Sequence, residues 1–297
     1  MTRSGVVLAR KGSQFQIHTA QGEVTAVLRG RVKRGDGRAI VGDRVALEDL
    51  GSGWAITSVE PRTNVLERRI PGGRGSRPMA ANLDRVLVMT ATANPDPVPQ
   101  LLDRLLVLAE ADDIHASVIV NKIDLDPGTA LITRMERAGY PVLAISVAKR
   151  LGLAPLIALM RSGVSLVAGP SGAGKSSLLN LLQPGLGLLT GKVSGKDGRG
   201  THTTVSAIMI PMDEGGYLVD TPGLSDVGFW GLDPVNLVQC FPDLLRCADE
   251  CRFPDCSHRS EPGCAVREQV GIGIAEDRYA SYCLFREELD SEPRDWE

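Results

Sequence analysis

The sequence predicts a multidomain chain with three successive units. These are an all-β barrel of the OB type, an α/β domain built around a phosphate-binding loop, and a small zinc domain. Three observations carry the prediction. Short β-branched runs punctuated by glycine fill residues 1–70. Strand and helix patterns alternate over residues 82–232. All six cysteines (240, 247, 251, 256, 264 and 283) fall in the last fifth of the chain, three of them with a histidine at metal-ligand spacing. A length of 297 residues suits this division, because domains average roughly 100–200 residues.

Val6–Ala9, Phe15–Thr19, Val24–Val32, Arg44–Leu47 and Trp54–Val59 read as the five barrel strands. Five short strands at this spacing fit a closed OB-type barrel, and an SH3-like barrel would look much the same. The stretch from Pro71 to Pro78 is rich in Gly, Pro and Arg without periodicity, so residues 71–81 read as a linker.

Beyond it, Arg85–Thr92, Ala116–Val120, Val142–Val147, Val164–Ala168, Val205–Pro211 and Tyr217–Asp220 read as strands. Leu101–Ala111, Ala130–Ala138, Leu153–Arg161 and Ser176–Leu182 between them have helical periodicity. Such alternation predicts a mainly parallel sheet covered by helices on both faces. Residues 233–297 hold the cysteines and short helices, among them Tyr279–Leu289.

The strongest motif is Gly169-Pro170-Ser171-Gly172-Ala173-Gly174-Lys175-Ser176-Ser177, between an apolar strand and a helix. That is the context of a P-loop. Its glycines let backbone N–H groups converge on phosphate oxygens at a helix N-terminus. Lys175 supplies a cation for the β- and γ-phosphates, and Ser176 a hydroxyl for Mg²⁺. Asp220-Thr221-Pro222-Gly223 ends a strand 45 residues after Lys175. Asp220 there can hold Mg²⁺ through water, and the Gly223 N–H can reach the γ-phosphate.

Asn121-Lys122-Ile123-Asp124 ends another strand. The Asp124 carboxylate can accept from both guanine N1–H and the exocyclic amine, while adenine presents an acceptor at N1. Leaving a buried polar group unpaired costs roughly 1–3 kcal/mol, so the motif selects guanine. Asn121 would brace the nucleotide loops, and the Lys122 stem would cover the purine face. Between the P-loop and Asp220 lies Gly198-Arg199-Gly200-Thr201-His202-Thr203-Thr204, read as a switch loop in which Thr204, or else Thr203, ligates Mg²⁺. Leu224 stands where many GTPases place a water-orienting Gln, which leaves His202 as the candidate for that task.

The motif order is N-K-x-D, then P-loop, then D-x-x-G. A circular permutation of a GTPase domain produces it, with the chain cut after the D-x-x-G strand. The ligand set Cys251-x4-Cys256-x-His258-x5-Cys264 makes a closed tetrahedral site suited to structural zinc. Cytosolic thiols stay reduced, so the cluster reads as metal binding and not as disulfides.

The net charge of −3 is unevenly spread. Residues 1–80 carry 14 Lys/Arg against 7 Asp/Glu, and residues 236–297 carry 7 against 14. A basic first segment suits a polyanionic partner. No apolar run reaches the ~18–20 residues a bilayer requires, and the first residues have too short an apolar stretch for a signal peptide, so a cytoplasmic protein is expected.

Taken together, N-K-I-D before G-P-S-G-A-G-K-S-S, then H-T-T, D-T-P-G-L and C-x4-C-x-H-x5-C, the chain resembles the circularly permuted ribosome small-subunit-dependent GTPase A family (RsgA/YjeQ/EngC). The resemblance spans nearly the whole chain. It implies GTP with Mg²⁺, one structural Zn²⁺, and a late role in small-subunit assembly through binding to small-subunit rRNA. It also implies a GTPase stimulated by the subunit and a switch histidine, which would be His202. The expected partners are the small subunit and its rRNA, with neither DNA nor a membrane, and the expected state is a monomer. An ATP-dependent kinase and an RNA-binding module with a vestigial site are the rival readings. The N-K-x-D motif opposes the first, and the intact Lys175–Ser176 and Asp220–Gly223 pairs oppose the second.

Overall fold

The computed structural model describes residues 2–29, 39–51, 53–69, 76–183, 207–220, 228–229 and 231–291. Strands β1 (Thr2–Lys11), β2 (Gln14–Thr19), β3 (Gly22–Leu28), β4 (Arg44–Asp49) and β5 (Trp54–Val59) close a barrel in the order β1-β2-β3-β5-β4. Pairing is antiparallel except between β3 and β5, which is the OB arrangement. Alternation along β2 sends Phe15 and Ile17 inward, where they meet Val7, Ala26, Val45, Leu47 and Ile56. Register shifts in β1 and in the β4–β5 pair bend the strands as closure requires.

The reading of residues 71–81 as a linker is corrected over its second half. Ser76–Ala81 is strand β7, paired antiparallel with β6 (Val65–Arg69) as a separate two-stranded sheet. Ala80 and Ala81 are fully buried, and Val41 of the barrel segment bridges to Ala80. The Asn64 side chain both accepts from Leu83 N–H and donates to the Leu83 carbonyl, so the chain enters the next unit already pinned.

The central sheet has the order β10-β9-β8-β11-β13-β12. Its strands are β8 (Arg85–Ala91), β9 (His115–Asn121), β10 (Val142–Ala144), β11 (Val164–Ala168), β12 (Ile208–Pro211) and β13 (Tyr217–Asp220). All neighbours run parallel except β12 on β13. Every residue of β11 is buried, as a central strand covered on both faces must be. Helices α1 (Pro99–Ala111), α2 (Thr129–Arg137), α3 (Leu153–Met160) and α4 (Lys175–Leu182) supply those covers. Leu105, Leu106 and Met135 lie in one buried cluster; Leu156, Met160 and Leu178 lie in another.

The barrel meets this sheet at its edge, where His18 Nδ1 and the Tyr217 hydroxyl lie 2.8 Å apart. The C-terminal segment has a 3₁₀ helix (Pro234–Cys240), α5 (Pro242–Ala248), α6 (Ala265–Glu268) and α7 (Glu276–Ser291). Its buried cluster joins Phe229, Leu237, Phe241, Leu244, Tyr282 and Phe285 to Val107 of α1. Among the described residues no helix is long and apolar enough to cross a membrane.

Candidate functional site

Because β8, β9, β11 and β13 are parallel, their carboxyl ends share one edge of the sheet. Asn121 closes β9, the loop Gly169–Gly174 follows β11, and Asp220 closes β13. Lys175, Ser176 and Ser177 form the first turn of α4. The loop is tight for a steric reason. Gly169 has φ +151°, and a Cβ there would lie 2.0 Å from the Met89 carbonyl oxygen. Gly174 has φ +105°, and a Cβ would lie 2.3 Å from Asn121 Nδ2. Glycine at both positions lets the loop pack against β8 and β9.

Asn121 is 2% exposed and ties two loops together. Its Nδ2 donates to the Ala173 carbonyl (2.9 Å), and its Oδ1 accepts from Val147 N–H (3.1 Å). The turn beyond β10 is shaped by Ser146, whose Oγ accepts from Lys149 N–H at 3.0 Å. Lys122 has φ +65°, and its Nζ donates to the Asn94 carbonyl, while the Thr92 hydroxyl donates to the Lys122 carbonyl (2.8 Å). Asp124 is exposed in the turn that follows. The hold of Asn94 and Thr92 on Lys122 has no signature in the motifs, since it arises only where two strand ends meet.

Lys175 Nζ donates to the carbonyls of Gly169 (2.7 Å) and Pro170 (2.8 Å). Burial pushes the Lys175 ammonium below the usual lysine range, and the charge of Asp220 opposes that shift. Burial likewise pushes the Asp220 carboxyl up, and Lys175 opposes it. The two groups therefore feel one another's charge in a partly dehydrated site, where a polyphosphate with its cation would relieve both costs. His202, Thr203, Thr204, Gly223 and Leu224 lie outside the described residues.

The second site gathers Cys251, Cys256, His258 and Cys264, whose ligand atoms all lie within 4.8 Å of one another. The Cys251 and Cys264 sulfurs are 3.9 Å apart, and His258 Nδ1 lies 3.5 and 3.6 Å from them. A tetrahedral zinc ion, with bonds of about 2.3 Å to sulfur and 2.0–2.1 Å to nitrogen, spaces its ligands at about 3.8 and 3.6 Å. The donor set and its spacing thus fit zinc. Burial, with the neighbouring Cys264 sulfur adding to it, pushes the Cys256 thiol up to about 12. Burial pushes His258 down, toward the neutral ligating form.

The loop between the ligands is held by residues that the spacing did not reveal. The Glu261 carboxylate accepts from the N–H groups of Ser257 (2.8 Å), Ser260 (3.1 Å) and Arg259 (3.2 Å). Burial opposes its ionisation, but hydrogen bonds, those from Ser257 foremost, outweigh it and hold the carboxyl far below the usual range. From α7, the Tyr279 hydroxyl donates to the His258 carbonyl (2.7 Å), and the Tyr282 hydroxyl donates to the Ser257 carbonyl (3.1 Å). A carboxylate three residues past a ligand, inside a tight loop, was the one available hint.

The central sheet is that of a P-loop GTPase entered at a different strand. The chain builds β8, β9 and β10 outward first, then returns to the middle for β11 and its phosphate loop. Its class is a circularly permuted GTPase. The family model for RsgA GTPase matches residues 59–230. A protein of Gemmatimonas aurantiaca named small ribosomal subunit biogenesis GTPase RsgA is 45% identical, over 96% of this chain and 97% of that protein. The crystal structure of YjeQ from Thermotoga maritima superposes with a TM-score of 0.81 at 30% identity, covering 99% of this chain and all of that one. The structure of YloQ, described as a circularly permuted GTPase, gives 0.78 at 27% identity, over 99% of this chain and 97% of that one. The chain belongs to the RsgA GTPase family.

Proposed function

We propose that this GTPase acts late in assembly of the small ribosomal subunit, binding the subunit and its rRNA as a monomer in the cytoplasm. On this reading the subunit stimulates hydrolysis, and hydrolysis releases the protein. Residues 1–70 and 233–297 would be the rRNA-contacting units flanking the GTPase domain of residues 82–232. The relatives' printed names and the basic balance of residues 1–80 support it.

The observation that carries the chemistry is Asn121. Its side chain couples the phosphate loop at Ala173 to the turn at Val147, so the phosphate and base ends of one nucleotide are set by a single residue. Asp124 would select guanine, with the Lys122 stem across the purine face. The loop Gly169–Ser177, through its backbone N–H groups other than at Pro170, and the Lys175 ammonium would take the phosphates. Ser176, Asp220 and Thr204 would hold Mg²⁺, which when bound neutralises charge on the transferred phosphoryl group. The Gly223 N–H would meet the γ-phosphate, and His202 would position the attacking water. Zinc on Cys251, Cys256, His258 and Cys264 would supply folding free energy to the last segment, its closed coordination leaving no open position for catalysis.

GTP turnover by the full chain with purified small subunits, large subunits and naked rRNA tests the reading. Stimulation by small subunits alone is expected. Equal turnover under all three conditions would overturn the subunit assignment.

A further inference from the structure

Helix α7 grips two things at once. Toward the cysteine loop, the Tyr279 and Tyr282 hydroxyls hold the carbonyls of His258 and Ser257. His258 has φ +60°, a conformation that a residue with a side chain adopts only when its surroundings impose it, and the Tyr279 hydrogen bond falls on that residue. The fully buried Arg278 donates to Asp103 of α1 in the nucleotide domain (2.7 Å) and to both carboxylate oxygens of Asp243 of α5 in its own segment (2.8 and 2.9 Å). Nearly three turns further on, Glu288 takes Arg104 of α1 in a two-pronged pair (2.9 and 2.5 Å). The Arg104 guanidinium covers both Phe285 of α7 and Phe229 (4.6 and 4.7 Å). The two rings meet edge to face at 5.2 Å. Phe229 is 1% exposed and lies nine residues beyond Asp220.

We propose that α7 is a coupling helix: metal held by the Cys251–Cys264 cluster and docking of the C-terminal segment onto α1 are linked through it. Tyr279 and Tyr282 are positioning residues for the metal loop, and Arg278, Phe285 and Glu288 carry the same helix into the nucleotide domain. The inference rests on the zinc reading given above. Linkage is reciprocal, so metal must tighten α1, and contacts on α1 must tighten metal, although none of them touches a ligand.

The test uses the full chain with Zn²⁺ as the probe. Elemental analysis first counts zinc in the native protein, with one ion per chain expected. Amide exchange is then followed with zinc bound and after chelation, and zinc affinity is measured by chelator competition for the native protein, Asp103→Asn, Glu288→Gln and Tyr279→Phe. Guanine nucleotide binding in each sample reports that the nucleotide domain is folded. Removing zinc should speed exchange of the α1 amides by at least about tenfold and leave the barrel strands unchanged. Asp103→Asn and Glu288→Gln should each weaken zinc by about 5- to 50-fold, within the usual range of intersite coupling. Tyr279→Phe should weaken zinc by a similar factor. A native protein that carries zinc but whose α1 exchange ignores it, or α1-contact variants that fold and hold zinc as tightly as the native chain, would overturn the coupling alone. A native protein without zinc would overturn the zinc reading and the coupling together.

Discussion

Asp124 and His202 pose the two sharpest questions at the residue scale. Asp124 stands exposed, three residues past the buried Asn121, where the proposed base end would lie. An amide in its place mirrors the carboxylate's hydrogen-bonding pattern. Asp124→Asn is expected to weaken GTP binding and shift preference toward xanthosine nucleotides, read by calorimetric titration with both. Unchanged GTP affinity would remove Asp124 from the guanine site. Leu224 cannot orient water, which leaves that task to another group. His202→Ala should leave Mg·GTP binding nearly intact and lower subunit-stimulated turnover by about 10²–10⁴-fold. Single-turnover cleavage on saturating small subunits measures it, and a loss under about tenfold assigns water positioning to another group, including one supplied by the subunit.

At the scale of elements, the contact between β6 and the end of α1 carries a charge conflict. Asp112 and Glu67 line one cavity of about 260 Å³ together with Val65, Leu108 and Phe229. Burial, followed by the charge of Glu67, pushes the Asp112 carboxyl up to about 7. The folded state therefore holds this proton more tightly than the unfolded chain. The group's contribution to stability is greatest below its ordinary value of 3.8 and is lost as pH rises through about 7. Asp112→Asn removes the penalty, so thermal unfolding at pH 8 should show a gain of about 1–3 kcal/mol, allowing for partial exposure, that fades near pH 4. Equal melting of the two proteins at pH 8 would show that Asp112 ionises freely in the fold.

Across the whole molecule, the nucleotide domain and the C-terminal segment are joined by a buried ionic hub. Asp103 receives both Arg278 and Arg134, and Arg134 also pairs with Asp277 at the start of α7. Asp243 of α5 completes the hub. Arg278→Met leaves Asp243, 3% exposed, without its guanidinium, and removing one partner of a buried pair costs roughly 3–5 kcal/mol. Urea unfolding should show that loss. The double variant Arg278→Met with Asp243→Leu should recover part of it, because no carboxylate is then stranded. A single variant as stable as the native protein would mean that the hub contributes nothing net.

The amino-acid sequence alone carried the readings that have a local grammar. A phosphate loop needs glycines at fixed spacing before a lysine, guanine selection needs a carboxylate at a strand end, and a tetrahedral metal needs four soft donors a few residues apart. Gly169–Ser177, Asn121–Asp124 and Cys251–Cys264 each fit within a short run, and strand and helix periods placed them in the right order. The tertiary structure decided what has no local period. Ser76–Ala81 lacks β-branched residues and reads as linker, yet it pairs with Val65–Arg69 across a glycine-rich stretch. The Arg278–Asp103 bond joins positions 175 residues apart, and the Tyr279 hydroxyl finds a carbonyl 21 residues back. Such contacts depend on how finished helices pack, because burying a charge or a hydroxyl is tolerable only once a partner has been brought to it from elsewhere in the chain.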